Sequence, residues 1–247
     1  MKIHHNIFGG KMKGSLYVWI ITSLLIFAGL PMISAQKMQR NKMKMQGPSK
    51  YQERDFTYLL SEVKGLDQDL LTMHFTLYKG YVKNTNGLLK MLSNLVNSGQ
   101  DRSYQYGALK RRLGWEFDGM RLHEYYFSNM GPKDRNEKSP LSQMIARQFG
   151  SYEKWKQEYL ATGAIRGIGW VILYYDLKDK RLVNTWINEH DLGHLSGCVP
   201  LLVMDVWEHA YITQFGLDRM KYMETFFENI NWDEVESRFK KAINRDG

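Results

Sequence analysis

"IGWVILYYDLKDKRLVNTWI", residues 168–187, holds two runs of β-branched, aromatic and aliphatic residues with the charged break "DLKDKR" between them. Such residues fit a pleated, half-buried surface, and a short polar break between two such runs signals a hairpin. The chain on either side has a different period. Leu70, Leu71, His74, Leu77, Tyr78, Tyr81 and Val82 recur at three- and four-residue steps, and "NGLLKMLSNLVNSG" carries the pattern on to a glycine. That is the spacing of one helix face with a glycine stop. A second helical stretch runs from Ser103 to Met130, where "NMGP" ends it. Two long helices joined by a short polar turn make an antiparallel hairpin. Beyond residue 140, "SPLSQMIARQFGSYEKWKQEYLATGA" reads as two short helices, "PLLVMDVWEHAY" as an apolar run entering a helix, and "NINWDEVESRFKKAI" as a closing helix. The expected fold is therefore α+β. An antiparallel helical hairpin at 55–133 is followed at 134–247 by a mixed domain, with a small three-stranded antiparallel sheet flanked by helices.

The first residues belong to neither part. Lys2, Lys11 and Lys13 precede "SLYVWIITSLLIFAGLPMISA", an uncharged apolar run that ends in Ser34 and Ala35. Basic, then apolar, then small is the order of a secretory signal, with cleavage expected after Ala35. The same run is also just long enough for an uncleaved anchor. Both readings of residues 1–35 place the body outside the cytoplasm, in the periplasm or extracellular space, and the second attaches it to a membrane. Residues 36–54 are a basic linker carrying Lys37, Arg40, Lys42, Lys44 and Lys50. With the three earlier lysines these cations account for the net charge of +8, so the body beyond is close to neutral. That balance gives no nucleic-acid signature. Hydrophobic residues at 43% of the 247 are enough for one or two ordinary cores. A lone cysteine, Cys198, cannot pair within the chain. There is no phosphate-binding loop and no dinucleotide fingerprint.

Beyond the expected cleavage point the histidines are His74, His123, His190, His194 and His209. Several sit among apolar and aromatic neighbours, where an imidazole fits either as a core residue with one hydrogen bond or as a ligand. "DVWEHAY" sets Asp205 and His209 four residues apart, one helical turn, which can aim both at one point or simply link them as an ion pair. A carboxylate with imidazoles and no thiolate suits iron, manganese or zinc.

"DVWEHAY" followed by "NINWDEVESRF" resembles the C-terminal signature of the iron/manganese superoxide dismutases. "GIGWVILYYD" resembles their Gly-x-Gly-Trp strand, "YVKNTNGL" the end of their first helix, and "LHEYYF" the segment bearing the histidine of their second. The likeness spans residues 52–245 with every segment in the family's order. It implies one iron or manganese ion per chain, held by His123, Asp205, His209 and a first-helix residue, and it implies superoxide as substrate. His74 is the histidine available there. Family spacing places a ligand eight residues before the tyrosine of "YV", where Met73 stands, and His74 is at seven. A step of seven returns to nearly the same helix face, and a thioether is a poor ligand for these hard ions.

The resemblance further implies that His190 stands where the family commonly has a glutamine bonded to solvent on the metal; His194, in "LGHLSG", reads simply as a solvated loop histidine. The resemblance makes Tyr81 the gateway hydroxyl and Tyr126, Trp170 and Trp207 an aromatic cage. Glu208 and Tyr211 take interface positions in a homodimer, since a buried unpaired Glu208 would be costly. Gly119, Arg121 and Leu122 depart from the family pattern. No His or Gln flanks Tyr81 in its helix, so its hydroxyl is expected to bond through Tyr78 or water. Two other classes share these features: a metal-binding homologue without dismutase activity, and a surface-anchored structural or interaction protein on the same fold.

Overall fold

A computed structural model of the chain describes residues 50–244. The expected signal or anchor, and all of the basic linker before residue 50, lie outside the described residues. From Lys50 onward the chain forms one compact unit. A short helix α1, Leu59–Glu62, precedes two long ones, α2 at Gln68–Asn97 and α3 at Tyr104–Ser128. On α2 the buried residues Leu70, Leu71, His74, Phe75, Tyr78 and Val82 follow the expected three- and four-residue steps. Each large apolar side chain buried in this way contributes roughly 1.5–3 kcal/mol. Ser103 starts α3 by accepting a hydrogen bond from the Tyr106 amide, so the turn between the helices is closed by a side-chain cap.

The second part has α4, Pro140–Phe149, and α5, Tyr152–Gly163, each begun by a capping serine, Ser139 and Ser151. Pro140 sits in the first turn of α4, where no amide donor is needed. The sheet consists of β1 at Trp170–Asp176, β2 at Arg181–Ile187 and β3 at Cys198–Asp205, antiparallel in the order β2, β1, β3. The expected α+β architecture is thus what the chain forms. After β3 come a 3₁₀ turn, Glu208–Ala210, and helices α6 at Ile212–Phe215, α7 at Arg219–Glu228 and α8 at Trp232–Ile243.

Antiparallel pairing decides where the chemistry gathers. Trp170, the first residue of β1, lies opposite both Ile187, the last of β2, and Asp205, the last of β3. The chain leaving β2 reaches His190 three residues later, and the chain leaving β3 reaches His209 four residues later. Both therefore emerge at the end of the sheet that carries Trp170. Gly169 makes this junction possible: it has φ +133, and a Cβ there would stand 2.0 Å from the Ile187 carbonyl oxygen. No other residue fits that approach.

One local expectation fails. Asp205 and His209 are not a helical pair, because Asp205 closes a strand and His209 lies in a 3₁₀ turn. Trp207 is extended between them, with ψ 153. The four-residue spacing still brings the side chains together through this bend.

Candidate metal centre

His74 from α2, His123 from α3, Asp205 from β3 and His209 from the 3₁₀ turn present one donor atom each, all within 4.8 Å of one another. The Nε2 atoms of His209, His74 and His123 stand 3.1, 3.2 and 3.7 Å from Asp205 Oδ2. His74, His123 and Asp205 are buried, and His209 is half-buried. The register on α2 is resolved in favour of the histidine. His74 is 2% exposed and faces the cluster, whereas Met73 is 42% exposed and faces away.

The donor set fits a cation. His123 Nδ1 is 2.5 Å from the Gly119 carbonyl oxygen, which can only accept, so the ring proton is on Nδ1 and Nε2 carries a lone pair. That Nε2 is buried with no hydrogen-bond partner. A buried lone pair aimed at a carboxylate is costly unless a cation lies between them. Asp205 is prepared for the same role. Burial raises its carboxyl pKa, but the His209 and His74 imidazoles outweigh burial and hold it well below the ordinary carboxylate range. Its Oδ1 accepts from the Trp207 amide at 2.8 Å, which turns Oδ2 toward the three rings. Burial lowers the pKa of His74 and lowers that of His123 further, so both rings stay neutral. Neutral imidazoles and an ionised carboxylate are the forms a hard divalent or trivalent ion takes.

Around these four, His190 is fully buried and touches two partners. The Trp170 indole N–H donates to its Nδ1 at 3.1 Å, and its Nε2 lies 2.7 Å from the Tyr81 hydroxyl. An indole is only a donor, so His190 carries its proton on Nε2 and gives it to the Tyr81 oxygen. Burial pushes the His190 pKa down to about 4 and that of Tyr81 up to about 12. The Tyr81 ring stacks on His123 at 5.2 Å. Gly119 has a steric reason in this chain, since a Cβ there would be 2.6 Å from the Tyr81 ring.

Trp207 stacks on His190 at 4.7 Å and on His209 at 5.8 Å, and Trp170 meets His123 edge-on at 5.0 Å. Tyr126 lies 5.2 Å from His74. Tyr222 donates to the Asp205 backbone oxygen at 2.7 Å and stands 3.1 Å from the Tyr126 hydroxyl, which fixes the end of β3 from below. Tyr211 is buried against Tyr222 at 5.6 Å.

Several expectations need correction. Tyr78 does not serve Tyr81: its hydroxyl donates to Glu124 and accepts the Arg54 amide. Glu208 is exposed in the single chain, so the cost of burying it supplies no argument for a dimer. His194 lies in a loop with its side chain 31% exposed, as expected, but both its ring nitrogens are also bonded. Sequence reasoning also passed over Trp115, whose indole packs on His190 at 4.8 Å and Trp207 at 5.9 Å. Nothing in the periodicity of α3 separates Trp115 from an ordinary core residue.

The C-terminal domain model of the iron/manganese superoxide dismutases matches residues 137–238. The chain is 36% identical to manganese superoxide dismutase 2 of Haloferax volcanii over 180 residues, covering 72% of this chain and 89% of that relative. It is 34% identical to the iron superoxide dismutase of Pyrobaculum aerophilum, covering 68% and 80% of the two chains. To the iron enzyme of Cupriavidus metallidurans it is also 34% identical, covering 74% and 93%.

Proposed function

The chain belongs to the iron/manganese superoxide dismutase family, and from that premise we propose that it converts superoxide to oxygen and hydrogen peroxide, using one iron or manganese ion held by His74, His123, Asp205 and His209. The observation that carries this reading is the convergence of four donors with the lone pair of His123 Nε2 otherwise unpartnered. When bound, the ion would supply a one-electron redox couple for the two superoxide half-reactions. Relatives carrying either metal in their names support iron and manganese equally.

The protein's part is to orient and to move protons. Asp205 stays ionised and gives the ligand set its negative charge. The Gly119 carbonyl and the Trp207 amide hold the His123 ring and the Asp205 carboxylate in their productive orientations. Reduction of superoxide to peroxide consumes two protons, and Tyr81 is placed to deliver one. Its pKa of about 12 keeps it protonated at neutral pH. Because its oxygen already accepts from His190, its own hydrogen points elsewhere, away from the ring and available to an incoming anion. Tyr81 is half-buried, so solvent can restore that proton. Tyr126, Trp170 and Trp207 keep the surroundings apolar.

The test is purification of residues 36–247, metal analysis, and superoxide consumption after loading with iron and with manganese. About one ion per chain with activity in at least one preparation is the expected result. Metal without activity would reduce the chain to a metal-binding homologue, and no metal in either would leave the structural reading.

The export proposal rests on Lys2, Lys11 and Lys13 ahead of the apolar run and on Ser34 and Ala35 after it. Mature protein beginning at Gln36 would bear it out; an intact N-terminus in the membrane fraction would favour an anchor. The homodimer proposal rests on family membership, with Glu208, next to His209, as the residue placed at the interface. Glu208→Ala should shift sedimentation toward monomer.

A further inference from the structure

His190 reaches the Tyr81 hydroxyl from a loop, residues 188–197, that belongs to no strand ladder. The backbone there is left-handed at Glu189, φ 58, and again at Gly193, φ 91. A 2.7 Å contact made from such a loop needs something to hold the backbone as well as the ring. The Trp170 indole holds the ring. The backbone is met by His194. Its Nε2 lies 2.8 Å from the His190 carbonyl oxygen, its Nδ1 lies 2.7 Å from the Tyr174 hydroxyl, and Asp118 Oδ2 approaches Nε2 at 3.7 Å. A carbonyl can only accept, so His194 Nε2 donates, and Nδ1 is left to bond the Tyr174 hydroxyl. One imidazole thus joins the His190 turn to β1 through Tyr174 and stands beside α3 at Asp118.

We propose that His194 is a positioning residue: by clamping the His190 carbonyl to the Tyr174 hydroxyl, it sets the distance at which His190 meets Tyr81. Its effect on rate rests on the dismutase reading above, but its effect on the His190 to Tyr81 contact does not. Ligand positions are untouched, since none of the four ligand side chains bonds to His194. His194 thereby acts one residue removed from the proton path, and its loss loosens delivery while metal binding survives.

The test uses the metal-loaded protein and its His194→Ala and His194→Gln variants. Metal per chain, the pH profile of superoxide consumption, and the His190 Nε2 to Tyr81 oxygen distance in crystals are read for each. His194→Ala should keep the parent's metal content and open the contact beyond about 3.5 Å, where a hydrogen bond no longer holds. Its rate should fall about 3- to 10-fold, less than the 10- to 100-fold typical of groups bonded directly to ligands, with the alkaline limb of the pH profile displaced. His194→Gln, whose amide can donate to the His190 carbonyl and accept from Tyr174, should restore both contact and profile. An unchanged contact and profile in His194→Ala overturn the proposal. So does loss of metal from a folded His194→Ala, which would place its support at the ligands instead. If His194→Ala does not fold, Tyr174→Phe removes only the anchoring hydroxyl and must move the same contact in the same direction. A parent protein that holds metal without consuming superoxide would sink the dismutase reading, and the crystallographic contact would still decide the role of His194.

Discussion

At a single position on α2, helical register decides which side chain faces the donor cluster. His74 and Met73 are neighbours in sequence, yet one step of about 100° turns one into the core and the other toward solvent. His74→Ala should lower metal affinity by more than the 10- to 100-fold seen for outer-sphere partners, while Met73→Ala should leave metal content unchanged. Elemental analysis of the two purified variants checks both. Gly119 gives a second residue-scale expectation. Gly119→Ala puts a methyl where the Tyr81 ring lies, so the ring must move off its stack on His123. The expected cost is about 1–3 kcal/mol of stability, with a displaced Tyr81 visible in a crystal structure. Tyr81→Phe should by contrast keep the ring in place, keep the metal and lose only the hydroxyl's share of the rate.

Among the elements, the middle of β3 is held by a buried cation on α8. Arg238 on α8 is buried, and it donates to the Asn129 side chain at 2.5 Å, the Leu201 carbonyl at 2.9 Å and Glu234 at 3.0 Å. It therefore joins α8 to the end of α3 and to β3, the two elements that deliver His123 and Asp205. Burial lowers its pKa, yet Glu234 beside it keeps it charged. Arg238→Ala would strand two buried acceptors, the Asn129 oxygen and the Leu201 carbonyl. At roughly 1–3 kcal/mol each, the thermal midpoint should fall markedly while the metal site stays intact in the folded fraction. A midpoint equal to the parent's would show that these bonds contribute nothing net.

For the molecule as a whole, the ligand cluster makes the metal-free protein sensitive to acid. The unfolded chain protonates its histidines near pH 6.5, whereas folded His190 takes a proton only near 4, and burial lowers His74 and His123 as well. Between those limits the unfolded state binds more protons, so stability rises with pH and is lost as pH falls below about 6.5. Asp205, held below its ordinary range, contributes in the same direction at lower pH. Each buried histidine can add up to about 1.4 kcal/mol per pH unit, and the melting midpoint of chelator-treated protein should drop by at least about 5 °C between pH 7 and pH 5. A flat profile would mean that the three rings titrate normally. Bound metal should stabilise the fold by about 4 kcal/mol at a thousand times its dissociation constant and so raise the midpoint, and chelation should abolish that increment.

The helices and the hairpin were legible in the sequence because each follows from local pattern. Three- and four-residue steps make α2 and α3, and paired β-rich runs make β1 and β2, whereas His123, Asp205 and His209 were singled out only by their motifs' resemblance to a family. Local pattern could not say whether Met73 or His74 faces inward, since seven- and eight-residue steps are both usable on one helix. Nor could it show that Tyr81 finds its partner in His190, 109 positions away, and not in Tyr78, three away. The partners of His194 were hidden for the same reason: Tyr174 and the His190 carbonyl are supplied by a neighbouring strand and by the path of a loop. By itself the sequence determined which elements form and which donor types are available, because period and side-chain chemistry are properties of short segments. Only the tertiary structure decided which donors converge and in which protonation state, because convergence depends on strand register, and protonation on burial and on partners brought from distant parts of the chain.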